Sequence, residues 1–168
     1  LGNGYAINAV IGKKEIMNFA KTSFISSTFW TERIGPSAAL KTLSVMKKNN
    51  SWEFISKQGK KIKKFWSLEA KKNNFKLDTF GLDALAQFRI KSENFQKYKT
   101  FISQEMLKKG FLAGNLIYVC THHTKDILEE YFSSLDPIFK LIKDCEEGKD
   151  INKLLDGPIC SSGFQRLN

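Results

Sequence analysis

Apolar residues between positions 52 and 66 recur at intervals of three and four, and lysines fall largely between them. That spacing places the apolar residues on one side of a helix and the charged residues on the other. The apolar side consists of Trp52, Ile55, Ile62, Phe65 and Trp66. The pattern therefore predicts a long amphipathic helix whose apolar face packs into a protein core.

Segments with the composition of short strands lie on both sides of this helix. Strands are predicted at residues 6–12, 24–29, 76–90 and 116–120, with a bend at Gly81 and Asp83. Helices are predicted at residues 13–21, 94–109 and 126–143. A further helical stretch runs from Pro36 to about residue 72, with a break near residues 49–51. In the last helix, Pro137 would break or kink the helix or mark the start of a second one. The alternation of the two patterns predicts an α/β fold.

Composition excludes several classes of protein. Hydrophobic residues make up 42% and charged residues 26% of the 168 residues, which is the balance of a folded globular chain. No uncharged apolar run reaches the roughly 18 residues that a membrane span requires. The three cysteines, Cys120, Cys145 and Cys160, fit neither a disulfide framework nor a zinc site. We therefore expect a reduced, cytoplasmic protein.

Positive charge is concentrated in one stretch of the chain. Residues 41–76 contain eleven lysines and two acidic residues, so this stretch carries +9 of the net charge of +10. One interpretation is a polyanion-binding or assembly helix, because clustered cations release counterions from nucleic acid. The other is a solvated helix face, which the absence of arginine from the stretch favours. We accordingly expect neither nucleic acid nor a membrane as a partner; nucleic-acid binding that requires Lys60, Lys61, Lys63 and Lys64 would reverse this.

Two short motifs near the start of the chain have the composition of ligand-binding loops. Gly2-Asn3-Gly4 is a tight turn in which the backbone could approach a ligand closely, although an ordinary structural turn explains it equally well. Ser26-Ser27-Thr28-Phe29 brings three hydroxyl groups together shortly before a helix begins. Hydroxyls beside a helix start can hold a phosphate group. The local pattern alone favours a capping loop.

His122 and His123 form the one histidine pair of the sequence. Adjacent residues of a strand point to opposite faces, so the two imidazoles cannot readily share a metal ion, and we predict no metal site. Cys120 lies two residues earlier and suggests a Cys–His nucleophile, but proximity in sequence is weak evidence for that geometry.

Three segments together resemble a known family. They are Leu1-Gly2-Asn3-Gly4-Tyr5-Ala6-Ile7 with Ala9-Val10-Ile11-Gly12, then Ser27-Thr28-Phe29, then Gly35-Pro36-Ser37-Ala38-Ala39. In this order they resemble the region that follows the cofactor lysine in class III pyridoxal-phosphate-dependent aminotransferases, with the glutamate-1-semialdehyde aminomutase branch the most similar. The resemblance continues to about Lys143.

This resemblance implies an α/β fold, the C-terminal part of the aspartate-aminotransferase-like (fold type I) enzymes, with a small mixed or antiparallel sheet and helices. It implies pyridoxal 5'-phosphate (PLP) as cofactor and a homodimer whose active sites are shared across the interface. Thr28 would then bind the phosphate of the partner subunit's cofactor, with Ser27 and Phe29 beside it. The turn formed by Gly2, Asn3, Gly4 and Tyr5 would lie near the cofactor. Arg33 is a candidate for binding a substrate carboxylate.

The sequence also departs from the family pattern. The lysine that binds the cofactor is expected just before Leu1, so we expect the chain by itself to be inactive. The link at residues 30–34 is longer than usual, and residues 112–124 lack the glutamate-bearing pattern associated with aminomutases. Both departures favour a transaminase, which moves an amino group between an amine or amino acid and a carbonyl acceptor, over an aminomutase. Residues 1–46 would end the large cofactor domain, and residues 47–168 would form the small C-terminal domain.

Overall fold

The computed structural model describes residues 1–25 and 28–163. The helices are α1 (Lys14–Met17), α2 (Ile34–Asn49), α3 (Ser51–Lys72), α4 (Phe95–Lys108) and α5 (Lys125–Glu146), with short 3-10 helices at Asn18–Thr22 and Ile151–Leu154. The strands are β1 (Leu77–Phe80), β2 (Leu85–Ile90) and β3 (Leu116–Tyr118). In the part of the chain that the structure describes, no helix combines the length and apolar composition that a membrane crossing requires.

The chain divides into two units, residues 1–51 and residues 52–168. In the first unit, Ala39 is the one apolar side chain that is buried among the described residues. Large apolar side chains are instead exposed to solvent: the exposed fraction is 90% for Ile11 and 96% for Phe24. This unit therefore has almost no hydrophobic core of its own.

The second unit contains an antiparallel sheet in the order β1-β2-β3. Alternate residues of the central strand β2, namely Ala86, Phe88 and Ile90, are fully buried. They join a core that α3, α4 and α5 supply with large side chains. Trp66 of α3 packs edge-on against Phe88, with ring centroids 4.7 Å apart. Of the predicted apolar stripe, Ile62 and Trp66 are fully buried and Ile55 and Phe65 pack against this core, whereas Trp52 at its start is 46% exposed, so the prediction was wrong for that residue. The predicted α/β class is confirmed.

The sequence predicted the break between α2 and α3, but it did not predict that α5 continues through Pro137. The predicted break near residues 49–51 is present: Asn50 has φ 46° and ψ 42° and separates α2 from α3, so residues 41–76 are not one helix. Asparagine adopts this left-handed conformation more readily than most residues. Helix α5, by contrast, runs through Pro137 as one helix. Leu135, Ile138 and Phe139 are buried on both sides of the proline, and this packing compensates for the backbone hydrogen bond that the proline cannot make.

The strands predicted at residues 6–12 and 24–29 are absent from the described residues. Ser26 and Ser27 lie outside the described part. A strand needs a neighbouring strand to satisfy its backbone groups, and the isolated bridge between Gly2 and Tyr5 is the one strand-type pairing that the structure describes in this unit. Composition alone suggested strands because it does not reveal whether a pairing partner exists.

The bend between β1 and β2 packs directly on α3 at a glycine. Gly59 is buried, and a Cβ atom there would lie 2.6 Å from the carbonyl carbon of Asp83 and would overlap its oxygen. One turn further along α3, Lys63 Nζ donates to the carbonyl oxygen of Gly81 at 2.6 Å and lies 3.2 Å from Asp83 Oδ1. The absence of a side chain at Gly59 therefore allows the bend to approach the helix.

We expect Gly59→Ala to lower the free energy of unfolding by about 1–3 kcal/mol, because the new methyl group overlaps backbone atoms. The better helix propensity of alanine, about 1 kcal/mol, offsets part of this loss. Urea denaturation measures the effect. Gly157→Ala is the matched control, since a Cβ atom there meets open space. Equal stabilities of the two variants would contradict the proposed contact.

Candidate functional site

A cavity of about 520 Å³ lies within the first unit, at the start of α2. Its walls come from the segment that follows the N-terminal turn, from the loop before α2 and from the first turn of that helix. The lining residues are Ala6, Ile7, Asn8, Ile25, Thr28, Phe29, Glu32, Gly35 and Pro36. Thr28 and Phe29, two of the predicted cofactor-binding residues, thus lie in one concave site.

The first turn of α2 forms one wall of this cavity. Gly35 is buried, and a Cβ atom there would lie 3.0 Å from the Ala6 carbonyl oxygen and 3.3 Å from Ile7 Cβ. The lack of a side chain at Gly35 therefore lets residues 6 and 7 approach the helix start. The N-cap residue Arg33 makes no side-chain capping hydrogen bond. The backbone N–H groups at this helix start are suited to an anion, because the helix dipole is positive there.

The N-terminal turn has the geometry that its sequence predicts. Asn3 and Gly4 have φ values of 48° and 108°, and the N–H of Tyr5 donates to the carbonyl oxygen of Gly2 at 3.4 Å. Positive φ at both central residues is characteristic of a type I′ turn, for which Asn-Gly is a preferred pair. A Cβ atom at Gly2 would overlap the Tyr5 carbonyl oxygen. The residues of this turn do not line the cavity, but residues 6–8, which follow them directly, do.

The other predicted site residues differ in position. Ser27 lies outside the described residues. Arg33 is exposed and lies at the start of α2, but it is not among the residues that line the cavity. Sequence reasoning missed Glu32, which does line it. Glu32 and Arg33 belong to the same lengthened link before α2. Considering how each charge in that link would act on a bound phosphate could have identified Glu32.

Glu32 affects what the cavity can bind. Its carboxylate contributes a negative charge to the same site as the exposed Thr28 hydroxyl. A phosphate group in the cavity would be attracted by the helix start and repelled by Glu32. The affinity of the cavity for an anion therefore depends on the balance between the helix start and Glu32.

The second candidate site, at Cys120 and the histidine pair, has no catalytic geometry. His122 and His123 lie in a turn after β3 rather than on a strand. His123 Nδ1 accepts a hydrogen bond from the backbone N–H of Cys120 at 3.1 Å, so this nitrogen is not directed at the thiol. Burial lowers the pKa of His123. Among residues 1–25 and 28–163, no cluster of three or more histidine, cysteine or acidic side chains could hold a metal ion.

Comparison with known proteins gives two similarities. The 3-aminobutyryl-CoA aminotransferase of Cloacimonas acidaminovorans (strain Evry) is 25% identical to the chain in an alignment 137 residues long, which covers 76% of this chain and 32% of that protein. The FumI protein of Sphingopyxis sp. MTA144, solved in its PLP internal aldimine form, superposes with a TM-score of 0.70 and 18% identity, over 92% of this chain and 38% of that one. No family model matches the chain.

These findings confirm the class of fold and the resemblance predicted from the sequence. The structural likeness shows that the chain has the fold of the corresponding part of the FumI protein, as predicted for fold type I. The sequence likeness confirms the resemblance to PLP-dependent aminotransferases. The chain spans about a third of the length of the curated relative. The aminomutase branch and the roles of individual residues remain predictions.

The hydrogen bond between Cys120 and His123 leads to a prediction about pH. The folded state favours the neutral imidazole, because burial lowers its pKa below the usual 6.5 and Nδ1 serves as an acceptor. The unfolded state therefore takes up a proton first, and stability falls as the pH decreases through about 6.5. Urea denaturation between pH 7.5 and roughly 5 should show this loss, and His123→Gln should reduce it. His122→Gln makes the same change at the exposed neighbour and is the matched control. A larger effect of His122→Gln than of His123→Gln would refute the assignment.

Proposed function

We propose that the full-length protein containing this chain is a PLP-dependent transaminase that moves an amino group between an amine or amino acid and a carbonyl acceptor. The observation that carries the proposal is the sequence similarity to an aminotransferase over 76% of the chain. The fold of the chain agrees with it, since the same fold occurs in an enzyme that holds PLP. In this proposal residues 1–46 complete the large cofactor domain and residues 47–168 form the small C-terminal domain.

Thr28 is the proposed ligand of the phosphate of the partner subunit's cofactor, acting through its hydroxyl and backbone N–H. Its exposed position in the cavity, beside the first turn of α2, fits this role. Ser27 and Phe29 are proposed to flank the phosphate. PLP supplies the electron sink that makes transfer of an amino group possible, whereas the residues of this chain bind and orient the phosphate end of the cofactor.

The remaining site residues have supporting roles in the proposal. The rigid turn from Gly2 to Tyr5 would pass beside the cofactor, and the lysine that binds the cofactor would precede Leu1. Arg33 would bind a substrate carboxylate, because a guanidinium pairs with a carboxylate through two parallel hydrogen bonds. The family resemblance leaves a 2,1-aminomutase as the alternative reaction, but the chain lacks the glutamate-bearing pattern at residues 112–124 that we associate with it.

The proposal includes a cytoplasmic homodimer with shared active sites. The first unit supports an assembled state, because it exposes many large apolar side chains and buries almost none. Extended apolar patches on a protein surface usually mark places that other protein covers. The exposed set includes Val10, Ile11, Phe19, Phe24, Trp30 and Leu40. Thr28 and Phe29 lie in this same unit, so a partner that covers it would lie near the proposed phosphate site.

Purified full-length protein tests the proposal directly. It should carry the visible absorbance of bound PLP, and an amino donor should bleach that absorbance until a carbonyl acceptor restores it. Colourless protein that fails to take up added PLP would exclude the proposal. Bound PLP with exchange only within a single substrate molecule would support the aminomutase alternative instead.

We expect Thr28→Val to weaken PLP binding about tenfold or more, because it removes a hydrogen bond to a charged group. Thr28→Ser retains the hydroxyl and should bind nearly as tightly as the natural protein. Thr31→Val is the matched control, since Thr31 is exposed in the same loop but does not line the cavity. Equal PLP affinities for Thr28→Val and Thr31→Val would remove the assigned role of Thr28.

We expect Glu32→Gln to tighten PLP binding by about two- to fivefold, because a partly screened repulsion between the carboxylate and the phosphate is lost. The gain should shrink as salt is added. Glu15→Gln removes an exposed carboxylate of the same unit that does not line the cavity and should have no effect. Weaker binding by Glu32→Gln would show that the phosphate does not lie in this cavity.

A further inference from the structure

One side of helix α3 is a continuous basic surface. Lys57, Lys60, Lys61 and Lys64 are all exposed, and together with Trp52, Glu53 and Ser56 they line a depression of about 580 Å³. We call these seven residues the basic face.

The charges of the basic face are not neutralised within the chain. None of its four lysines has a carboxylate oxygen within 4.0 Å among the described residues. Two other lysines of the same helix are paired: Lys63 with Asp83 at 3.2 Å and Lys72 with Asp136 at 2.8 Å. With Glu53 the one acid of the basic face, the face carries a net charge of +3.

The spacing of the four lysines makes this arrangement unfavourable without a partner. Lys57 is three residues from Lys60 and four from Lys61, and Lys64 stands four residues from Lys60 and three from Lys61. Like charges at these separations are neighbours on a helix and repel each other. Bound phosphate oxygens would relieve that repulsion, because each lysine can donate to a phosphate as a point charge.

The basic face also has an aromatic end. Trp52 begins the depression and exposes 46% of its surface, although Trp66 of the same helix is completely buried. An exposed indole beside clustered lysines is the combination with which proteins stack a nucleobase while they neutralise its phosphates. Lysines without an aromatic neighbour would have indicated a less selective anion site.

We propose that the basic face binds a nucleotide, with its base stacked on Trp52 and its phosphates held by Lys57, Lys60, Lys61 and Lys64. The ligand class is a small molecule that carries at least two phosphate groups and a planar base, either free or as the nucleotide part of a larger molecule. The inference does not depend on the proposed transaminase activity, because it uses only residues of α3.

The test is calorimetric titration of the full-length protein with ADP, inorganic diphosphate and adenosine at low salt. ADP should bind more tightly than diphosphate by about fivefold or more, the contribution expected from stacking, and its affinity should fall as salt is added. Replacement of all four lysines of the face by glutamine should weaken ADP binding about tenfold or more. Trp52→Ala should bring the ADP affinity down to that of diphosphate.

Two control variants separate the basic face from general charge and from misfolding. Glutamine at Lys76, Lys109, Lys125 and Lys153 makes the same change of charge at exposed sites elsewhere and should leave ADP binding intact. Arginine at the four lysines of the face keeps the charge and should retain binding. The proposal is overturned if both glutamine variants bind ADP equally, if diphosphate binds as tightly as ADP, or if only a labelled single-stranded oligothymidine binds in a lysine-dependent manner. Absorbance of PLP in the full-length protein is measured separately, so either proposal can fail alone.

Discussion

The packing of α3 on the central strand β2 is the interaction on which the C-terminal unit depends. Ile62 and Trp66 are completely buried on the helix, as is Phe88 on the strand. Trp66 also satisfies its one polar atom, because its Nε1 donates to the Tyr131 hydroxyl on α5 at 3.0 Å. A single side chain thus connects a helix, the sheet and a second helix, and removal of such a buried aromatic ring costs about 3–5 kcal/mol. The opposite side of α3 is left to solvent, and the unpaired lysines lie there.

The unit that has a hydrophobic core is not the unit that contains the candidate cofactor site. Residues 52–168 have a core assembled from three helices and a sheet, whereas the described residues of the first unit bury almost no apolar side chain. The candidate cofactor site nevertheless lies in the first unit, at the start of α2. In the proposed enzyme, other parts of the full-length protein or a second subunit would cover the exposed apolar side chains of this unit. The similarity to about a third of an aminotransferase supports the same conclusion.

Much of the fold was predictable from the sequence, because the periodic segments are long and amphipathic. The stripe from Ile55 to Trp66 and the break near Asn50 follow from local chemistry and are present in the structure, whereas Trp52, predicted to begin the stripe, is exposed. The strands predicted at residues 6–12 are absent because strand formation depends on a partner that the local sequence does not reveal. The continuity of α5 through Pro137 depends in the same way on tertiary packing. At the candidate site, the run of hydroxyls suggested a phosphate loop around Thr28, but only the family resemblance favoured that interpretation over a capping loop. Glu32 was missed because its effect depends on which side chains share one cavity.

We propose that this chain is part of a PLP-dependent transaminase and supplies residues that hold the cofactor phosphate, whereas the lysine that binds the cofactor lies outside it. The most direct measurement is borohydride treatment of the full-length protein with PLP, followed by peptide mass spectrometry to locate the labelled lysine. We expect one labelled lysine, which lies outside the 168 residues and just before Leu1. Thr28→Val should reduce the amount of label on that lysine. Stoichiometric label on Lys13, Lys14 or another lysine of this chain, or no specific label, would contradict it.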